Sequence, residues 1–214
     1  KEAEQAMERC KDSIFGKELA IERAAAQGRY DEALKILAEI ESAEGETARQ
    51  CIRRGKVLER AGRLAEAAEQ YRRASELDPT DSGPLNDEAY VLANAAGRNA
   101  ETIARAADRM QRAASLGPLS PEMLETLGWI QVLRGETASG LASLSAAIEE
   151  LRDQPVAHYH IGAAYKEAGK TQWARLHLEN VLSIAPDGLP EKQAAGQLLT
   201  ELRIRGEIGA RGER

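Results

Sequence analysis

Hydrophobic positions recur along this chain with the spacing of helices. Ala67, Tyr71 and Ala74 are separated by four and three residues, which places them on one face of a helix. Asp78 and Pro79 follow this stripe, and the helix should end there because the residue before a proline is pushed out of the helical region. The pattern predicts amphipathic helices separated by short breaks.

The same pattern returns with a fixed period. The segment from Gly28 to Ala33 is echoed 34 residues later by Gly62 to Ala67, and Gly135-Glu136-Thr137 is echoed by Gly169-Lys170-Thr171. A period of this length predicts stacked helical hairpins, and with them a binding surface in preference to an active site. Each predicted repeat is a helix A, a turn near a glycine and a helix B; the repeats span 14–47, 48–81, 82–120, 121–154 and 155–188.

Two repeats depart from the pattern. The first carries Ile21 where helix A of the second carries the small residue Gly55, as expected of a terminal repeat. In the third, the helix B pattern arrives five residues late, which predicts an insertion around 96–101 that lengthens the connection between its helices. We expect one solenoid domain over 1–214, with a capping helix over 189–205 and a frayed tail over 206–214; residues 1–12 are expected to form an extra helical turn or to be the stub of a removed segment.

Composition narrows the classes of function. The chain is 43% hydrophobic but has only two Trp, five Tyr and one Phe, so its core should consist of many small contacts between close helices. A net charge of -6 gives no basic surplus for nucleic acid. No apolar run approaches the roughly 18 residues of a membrane span, so we expect a soluble protein, cytoplasmic or periplasmic. The sequence starts at Lys1, which is compatible with a removed signal peptide or lipid anchor, and the compartment stays open.

Catalytic and metal-binding chemistry is not predicted. His158 and His160 are two residues apart on a helix, so they point in different directions, and His158 is expected to pack between helices. The sequence contains neither a GxxxxGK[ST] loop nor a nucleophile matched with a base. Cys10 and Cys51 are either two small buried thiols or, if their helices touch, a disulfide. We expect no enzymatic activity, no cofactor and no metal.

The repeat pattern resembles the tetratricopeptide repeat. The resemblance extends over 14–188 and rests on five positions counted from the start of each repeat. Small residues occupy the eighth and twentieth positions, an aromatic residue or leucine the eleventh and twenty-fourth, and proline the thirty-second. The resemblance implies an all-α, right-handed superhelix of about five repeats whose helices A line a concave groove that usually binds an extended peptide or a partner helix. The chaperone-tail clamp of this family is excluded, because Glu18 and Glu22 stand where it needs lysine and asparagine.

If helices A line such a groove, their second, fifth, sixth, ninth and thirteenth positions should face it or its rim. The candidate binding residues are Arg49, Arg53, Lys56, Arg60, Asn86, Tyr90, Asn94, Glu125, Trp129 and Tyr159. The bases would steer an acidic segment, the amides would hydrogen-bond its backbone, and the rings would cover its apolar side chains. The alternative is that the charges are an ordinary solvated face and the rings pack between helices.

These observations favour a scaffold or adaptor that binds a protein partner, through an extended or acidic segment. A second hypothesis is a structural subunit of a self-assembling or cell-envelope complex, because Leu85 to Ala93, Glu125 to Trp129 and His158 to Gly162 are similar to repeats in bacterial proteins of polysaccharide export. In that case a homo-oligomer is expected. A third is that the repeats form the regulatory module of a larger enzyme. The sequence leaves the partner and the pathway open.

Overall fold

The structure of the protein is a computed structural model that describes residues 14–212, with side chains from 15 to 204. All regular secondary structure in this part of the chain is helical, which confirms the predicted all-α class built from helical hairpins. Its helices are α1 (Ile14–Ala26), α2 (Tyr30–Glu44), α3 (Ala48–Arg60), α4 (Leu64–Leu77), α5 (Gly83–Asn94), α6 (Ala100–Leu116), α7 (Pro121–Leu133), α8 (Thr137–Ile148), α9 (Pro155–Glu167), α10 (Thr171–Ile184) and α11 (Pro190–Gly212).

The helices belong to two compact units. The first unit ends at Gly117 and contains α1 to α6, and the second begins at Pro118 and contains α7 to α11. Within each unit, every helix packs against its neighbours in chain order, and in the second unit α9 also contacts α7 and α11. Each unit is therefore built from helical hairpins that follow one another along the chain.

The hairpin turns explain the glycine echo in the sequence. Four of them are three-residue turns that pass through a glycine with a positive φ: Gly28 (71°), Gly62 (73°), Gly135 (81°) and Gly169 (71°); Gly97 (78°) has the same conformation in the longer connection of the third repeat. Glycine adopts this left-handed conformation without the strain that a Cβ would cause. The backbone N–H of the next residue then bonds back over the helix end, as Arg63 does to the carbonyl oxygen of Leu58 at 2.8 Å. The repeated glycine is thus the signal that ends each of these helices A.

The third repeat absorbs its insertion differently from the prediction. Its connection between helices covers 95–99, five residues, where that of the second repeat covers only 61–63. The other three inserted residues extend the start of α6. They are helical because Asn99 and Thr102 form a capping box, with each side chain accepting a hydrogen bond from the backbone N–H of the other at 3.0 and 2.8 Å. The connection is therefore lengthened by only two residues.

The two ends of the chain differ in what the structure describes. The extra turn predicted over 1–12, and Cys10 with it, lies outside the described residues. At the other end α11 continues to Gly212, beyond the end predicted at residue 205. Its Ala195 and Leu202 join a buried cluster with Leu178 and Val181 of α10. This contact covers the last hairpin, as a capping helix should.

Candidate functional site

The predicted basic row lies along α3, but acidic residues of α1 compensate it. Arg53 forms an ion pair with Glu18, and Arg49 Nη2 lies 3.6 Å from the same carboxylate. Arg60 Nη1 lies 3.9 Å from Glu22. The hydrogen bond from Arg53 lowers the pKa of Glu18 below its ordinary value. The row is therefore one half of a charged seam between the first two repeats, and not an uncompensated basic surface.

The predicted amide and aromatic row lies on α5, where all three side chains are partly buried. Asn94 Nδ2 donates to the carbonyl oxygen of Tyr90 at 2.9 Å, so this amide bonds its own helix. Asn86 Nδ2 lies 3.4 Å from Asp87 Oδ1, while Asn86 Oδ1 is buried without a hydrogen-bond partner. Of the two amides, Asn86 is the one that has an unused acceptor.

A cavity of about 400 Å³ opens between these helices in the first unit. Ile21 and Glu22 of α1, Lys56 and Glu59 of α3, and Asp87 of α5 contribute to its wall. Its volume lies within the range of about 300 to 1,000 Å³ that is usual for ligand pockets. Helices A of three successive repeats thus share one concave site.

Two acids of this cavity were missed by the sequence analysis. Burial raises the pKa of both Glu59 and Asp87 above their ordinary values, and Lys56 opposes the shift in each case. Glu59 Oε2 also accepts a hydrogen bond from the Tyr71 hydroxyl at 2.8 Å. Asp87 holds the sixth position of its repeat, which is one of the positions expected to face a groove, so that position was the available signal.

In the second unit the structure corrects the expectation that Glu125 and Trp129 are exposed. Trp129 is only 7% exposed because its ring stacks on His160, with ring centroids 4.2 Å apart and an interplanar angle of 10°. Glu125 is buried and its Oε1 contacts His160 Nδ1. Tyr159 is half-buried, and its ring centroid lies 6.3 Å from that of Trp129. These residues pack between α7 and α9, which was the alternative interpretation.

A histidine pair joins α9 and α10. His158 Nδ1 and His177 Nδ1 are 2.9 Å apart, and His158 Nε2 lies 2.9 Å from the carbonyl oxygen of Arg152. A carbonyl oxygen only accepts, so Nε2 of His158 carries a proton, and with His158 neutral its Nδ1 accepts from His177. Burial, together with the neighbouring His158, lowers the pKa of His177 to about 4. His158 is thus a packed residue, as predicted, and its partner is His177.

This pair predicts a loss of stability in mild acid. Because the pKa of His177 is about 4 in the folded chain and ordinarily about 6.5, the unfolded chain takes up the proton first, and stability falls as the pH drops from 6.5 towards 4. Allowing for partial exposure, we expect a loss of about 2 kcal/mol between pH 7.5 and 4.5. Urea unfolding at both pH values, for the wild type and for His177→Gln, measures it. Equal pH dependence in the two proteins would contradict this assignment.

Other chemistry is limited in the described residues. They contain no group of three or more His, Cys, Asp or Glu placed to hold a metal ion. Cys51 is a free, buried thiol, and burial raises its pKa to about 11, so it is a poor nucleophile at neutral pH. None of the helices described is both long and apolar enough to cross a membrane.

The architecture defines an α-helical repeat protein, and comparison with known proteins identifies the repeat. Residues 48–81 match the family model of the tetratricopeptide repeat. Among curated proteins none matches the chain in sequence. This match lies in the second repeat, and together with the helical-hairpin fold of the described residues it supports the predicted resemblance to the tetratricopeptide repeat.

Solved structures of such repeats superpose on most of the chain. The chain is similar to TTC0263, a thermophilic tetratricopeptide-repeat protein of Thermus thermophilus, with 19% identity, a TM-score of 0.68 and coverage of 86% of this chain and 98% of that one. It is also similar to MamA, with 19% identity, a TM-score of 0.56 and coverage of 76% and 86%. A third is YrrB, described as having an unusual peptide-binding site, with 18% identity, a TM-score of 0.54 and coverage of 89% and 95%. At these identities the likeness establishes the fold, which is consistent with protein–protein interaction.

Proposed function

We propose that this chain is a non-enzymatic adaptor that binds an extended polypeptide segment on the helix A surface of its first unit. The observation that carries the proposal is the cavity of about 400 Å³ bounded by α1, α3 and α5. Asn86, Tyr90 and Asn94 of α5 would contact the segment beside the cavity. Surfaces of this kind recognise a segment through a few buried anchors, while the surrounding contacts exclude water.

The proposal does not require an acidic ligand. Three of the four bases on α3 lie near Glu18 or Glu22, so steering by a positive row would be weak. Tyr159 in the second unit is half-buried and stays a candidate contact for a ligand of that unit. Glu125 and Trp129 would not contact the ligand but would hold Tyr159 in position by packing.

Photo-crosslinking at two matched lysines tests this proposal. Lys56 on α3 and Lys35 on α2 are both exposed, but only Lys56 borders the cavity. Random linear peptides displayed on phage are selected on the wild-type chain and then exposed to chains carrying benzoyl-phenylalanine at one position or the other. We expect selected peptides to crosslink at position 56 at least about tenfold more than at position 35, because a segment held at the cavity lies within reach of that position alone.

Two outcomes would contradict the proposal. One is a selection that yields no binding peptide, and the other is equal crosslinking at the two positions. A third position, Leu176, addresses self-assembly. Trp173, Leu176 and Ile184 are 55%, 48% and 41% exposed on one face of α10, and such an apolar stripe favours association of copies. A crosslink between two copies through position 176, without peptide binding, would support the structural-subunit alternative.

A further inference from the structure

Besides the exposed Glu22, the cavity of the first unit is lined by two partly buried carboxylates that its cations compensate incompletely. Glu59 and Asp87 line the same cavity, and Lys56 attracts both of them. Arg53 and Arg60 also line it, but Arg53 is paired with Glu18, and Arg60 lies near Glu22. One lysine therefore serves two partly buried acids, and burying an acid without a full partner is costly.

The repeat pattern shows why Asp87 lacks a partner of the usual kind. An acid at the fifth position of a repeat pairs with a base at the sixth position of the next repeat at two places: Glu18 with Arg53, and Glu125 with His160. Asp87 holds the sixth position of the third repeat, and the fifth position of the repeat before it is Ile52. The charge at the sixth position is thus reversed, and its usual partner position is apolar.

A further acceptor lies beside Asp87. Asn86 Oδ1 is buried and accepts no hydrogen bond, although Asn86 Nδ2 is close to Asp87. Buried polar atoms are nearly always hydrogen-bonded, so this acceptor is an exception, and it belongs to the residue that precedes Asp87 on α5. The carboxylate oxygens of Glu59 and Asp87 make the lining of the cavity rich in acceptors, and the group that fits them is a cation with several N–H donors.

We propose that this cavity receives a lysine or arginine side chain of the bound segment, placed between the carboxylates of Glu59 and Asp87. The inference rests on the proposed function, and it adds the chemistry of the ligand, which is basic at the residue that enters the cavity. The methylene stem of such a side chain would pack on Ile21 and Val57, which also line the cavity. Its charge would relieve the shortage of cations around the two acids.

Peptides selected on the wild-type chain, as described above, are the probes for this proposal. We expect them to share a lysine or arginine. Glu59→Gln and Asp87→Asn should each weaken such a peptide about tenfold or more, because each removes one charged acceptor at unchanged shape. The same peptide with norleucine in place of the basic residue should bind the wild type with a similarly reduced affinity. Its affinity for either variant should be no lower than its affinity for the wild type.

Two further variants serve as controls. Glu66→Gln changes an exposed acid of α4 that is paired with Arg63, and it should leave affinity unchanged. Lys56→Met removes the cation that lines the cavity and should raise the affinity of the chain for a basic peptide. If the surface bound acidic ligands instead, the same change should lower the affinity for its ligand. Binding of the norleucine peptide reports whether each variant is folded.

The possible failures are distinguishable. If peptides bind at the cavity but share no basic residue, or if Glu59→Gln weakens the basic and norleucine peptides equally, this inference is overturned while the proposed function stands. If Lys56→Met weakens the basic peptide, the inference is also overturned. If no peptide binds, both the inference and the proposed function fail.

Discussion

Replacing His160 with phenylalanine is expected to lower the free energy of unfolding by about 3 kcal/mol or more. The side chains of His160 and Glu125 are only 2% and 7% exposed, and they contact each other through Nδ1 and Oε1. Phenylalanine keeps a ring against Trp129 but leaves the Glu125 carboxylate buried without its partner, which is the costly consequence. Tryptophan fluorescence in a urea titration measures the loss, because Trp129 and Trp173 both lie in the second unit.

A double replacement separates the lost partner from lost packing. Glu125→Leu combined with His160→Phe turns the buried pair into an apolar contact, and we expect its stability to lie within about 1 kcal/mol of the wild type. Replacing a buried polar pair as a whole is often neutral, whereas removing one member is not. A double variant as unstable as His160→Phe would show that shape, and not the unpaired carboxylate, causes the loss.

The helical hairpins could be predicted because their signals are local. Gly62 ends α3, and Ala67, Tyr71 and Ala74 mark the buried face of α4, all within a short stretch of chain. Each of these signals acts through the backbone or through neighbours three and four residues away. The third repeat was predicted less well, because the cap formed by Asn99 and Thr102 decides where α6 begins.

The pairs that join the repeats were not predicted, although the sequence contains their signal. Glu18 and Arg53 are 35 residues apart, and so are Glu125 and His160. Both pairs connect a fifth position with the next sixth position, which becomes visible only when charges are compared between aligned repeats. Considered by itself, the row on α3 looked like a ligand surface, whereas two of its bases lie beside Glu18.

Glu88 is an example that sequence reasoning could not reach. Its side chain is fully buried, with Oε2 lying 2.9 Å from Arg109 Nε and Oε1 3.6 Å from Arg105 Nη2. The Arg109 contact is an ion pair without hydrogen-bond alignment, and burial raises the pKa of Glu88 while Arg109 opposes the shift. Both arginines lie on α6, after the insertion that displaces the helix B pattern, so the spacing of the other repeats does not place them beside Glu88.

Gly128→Ala is expected to lower the stability of the second unit by about 3 kcal/mol or more. A Cβ on Gly128 would lie 2.7 Å from Leu144 Cγ and 2.9 Å from both the Gly140 carbonyl oxygen and the Leu144 backbone nitrogen. Two of these three atoms belong to the backbone of α8, so no change of rotamer relieves the clash and the two helices must move apart. The urea titration followed by tryptophan fluorescence measures the effect.

Alanine substitutions at two other glycines should have different effects on stability, because their surroundings are less crowded. Gly162 holds the same position in the next hairpin, but the three atoms nearest to its Cβ would be side-chain atoms of Leu178 and His177, at 3.0 to 3.4 Å, so Gly162→Ala should cost about 1 kcal/mol. Gly196 on α11 has no such neighbour within 4 Å, and Gly196→Ala should stabilise by about 0.5 to 1 kcal/mol through helix propensity. Equal effects of the three changes on stability would contradict this explanation, in which close backbone contact between α7 and α8 requires a glycine at position 128.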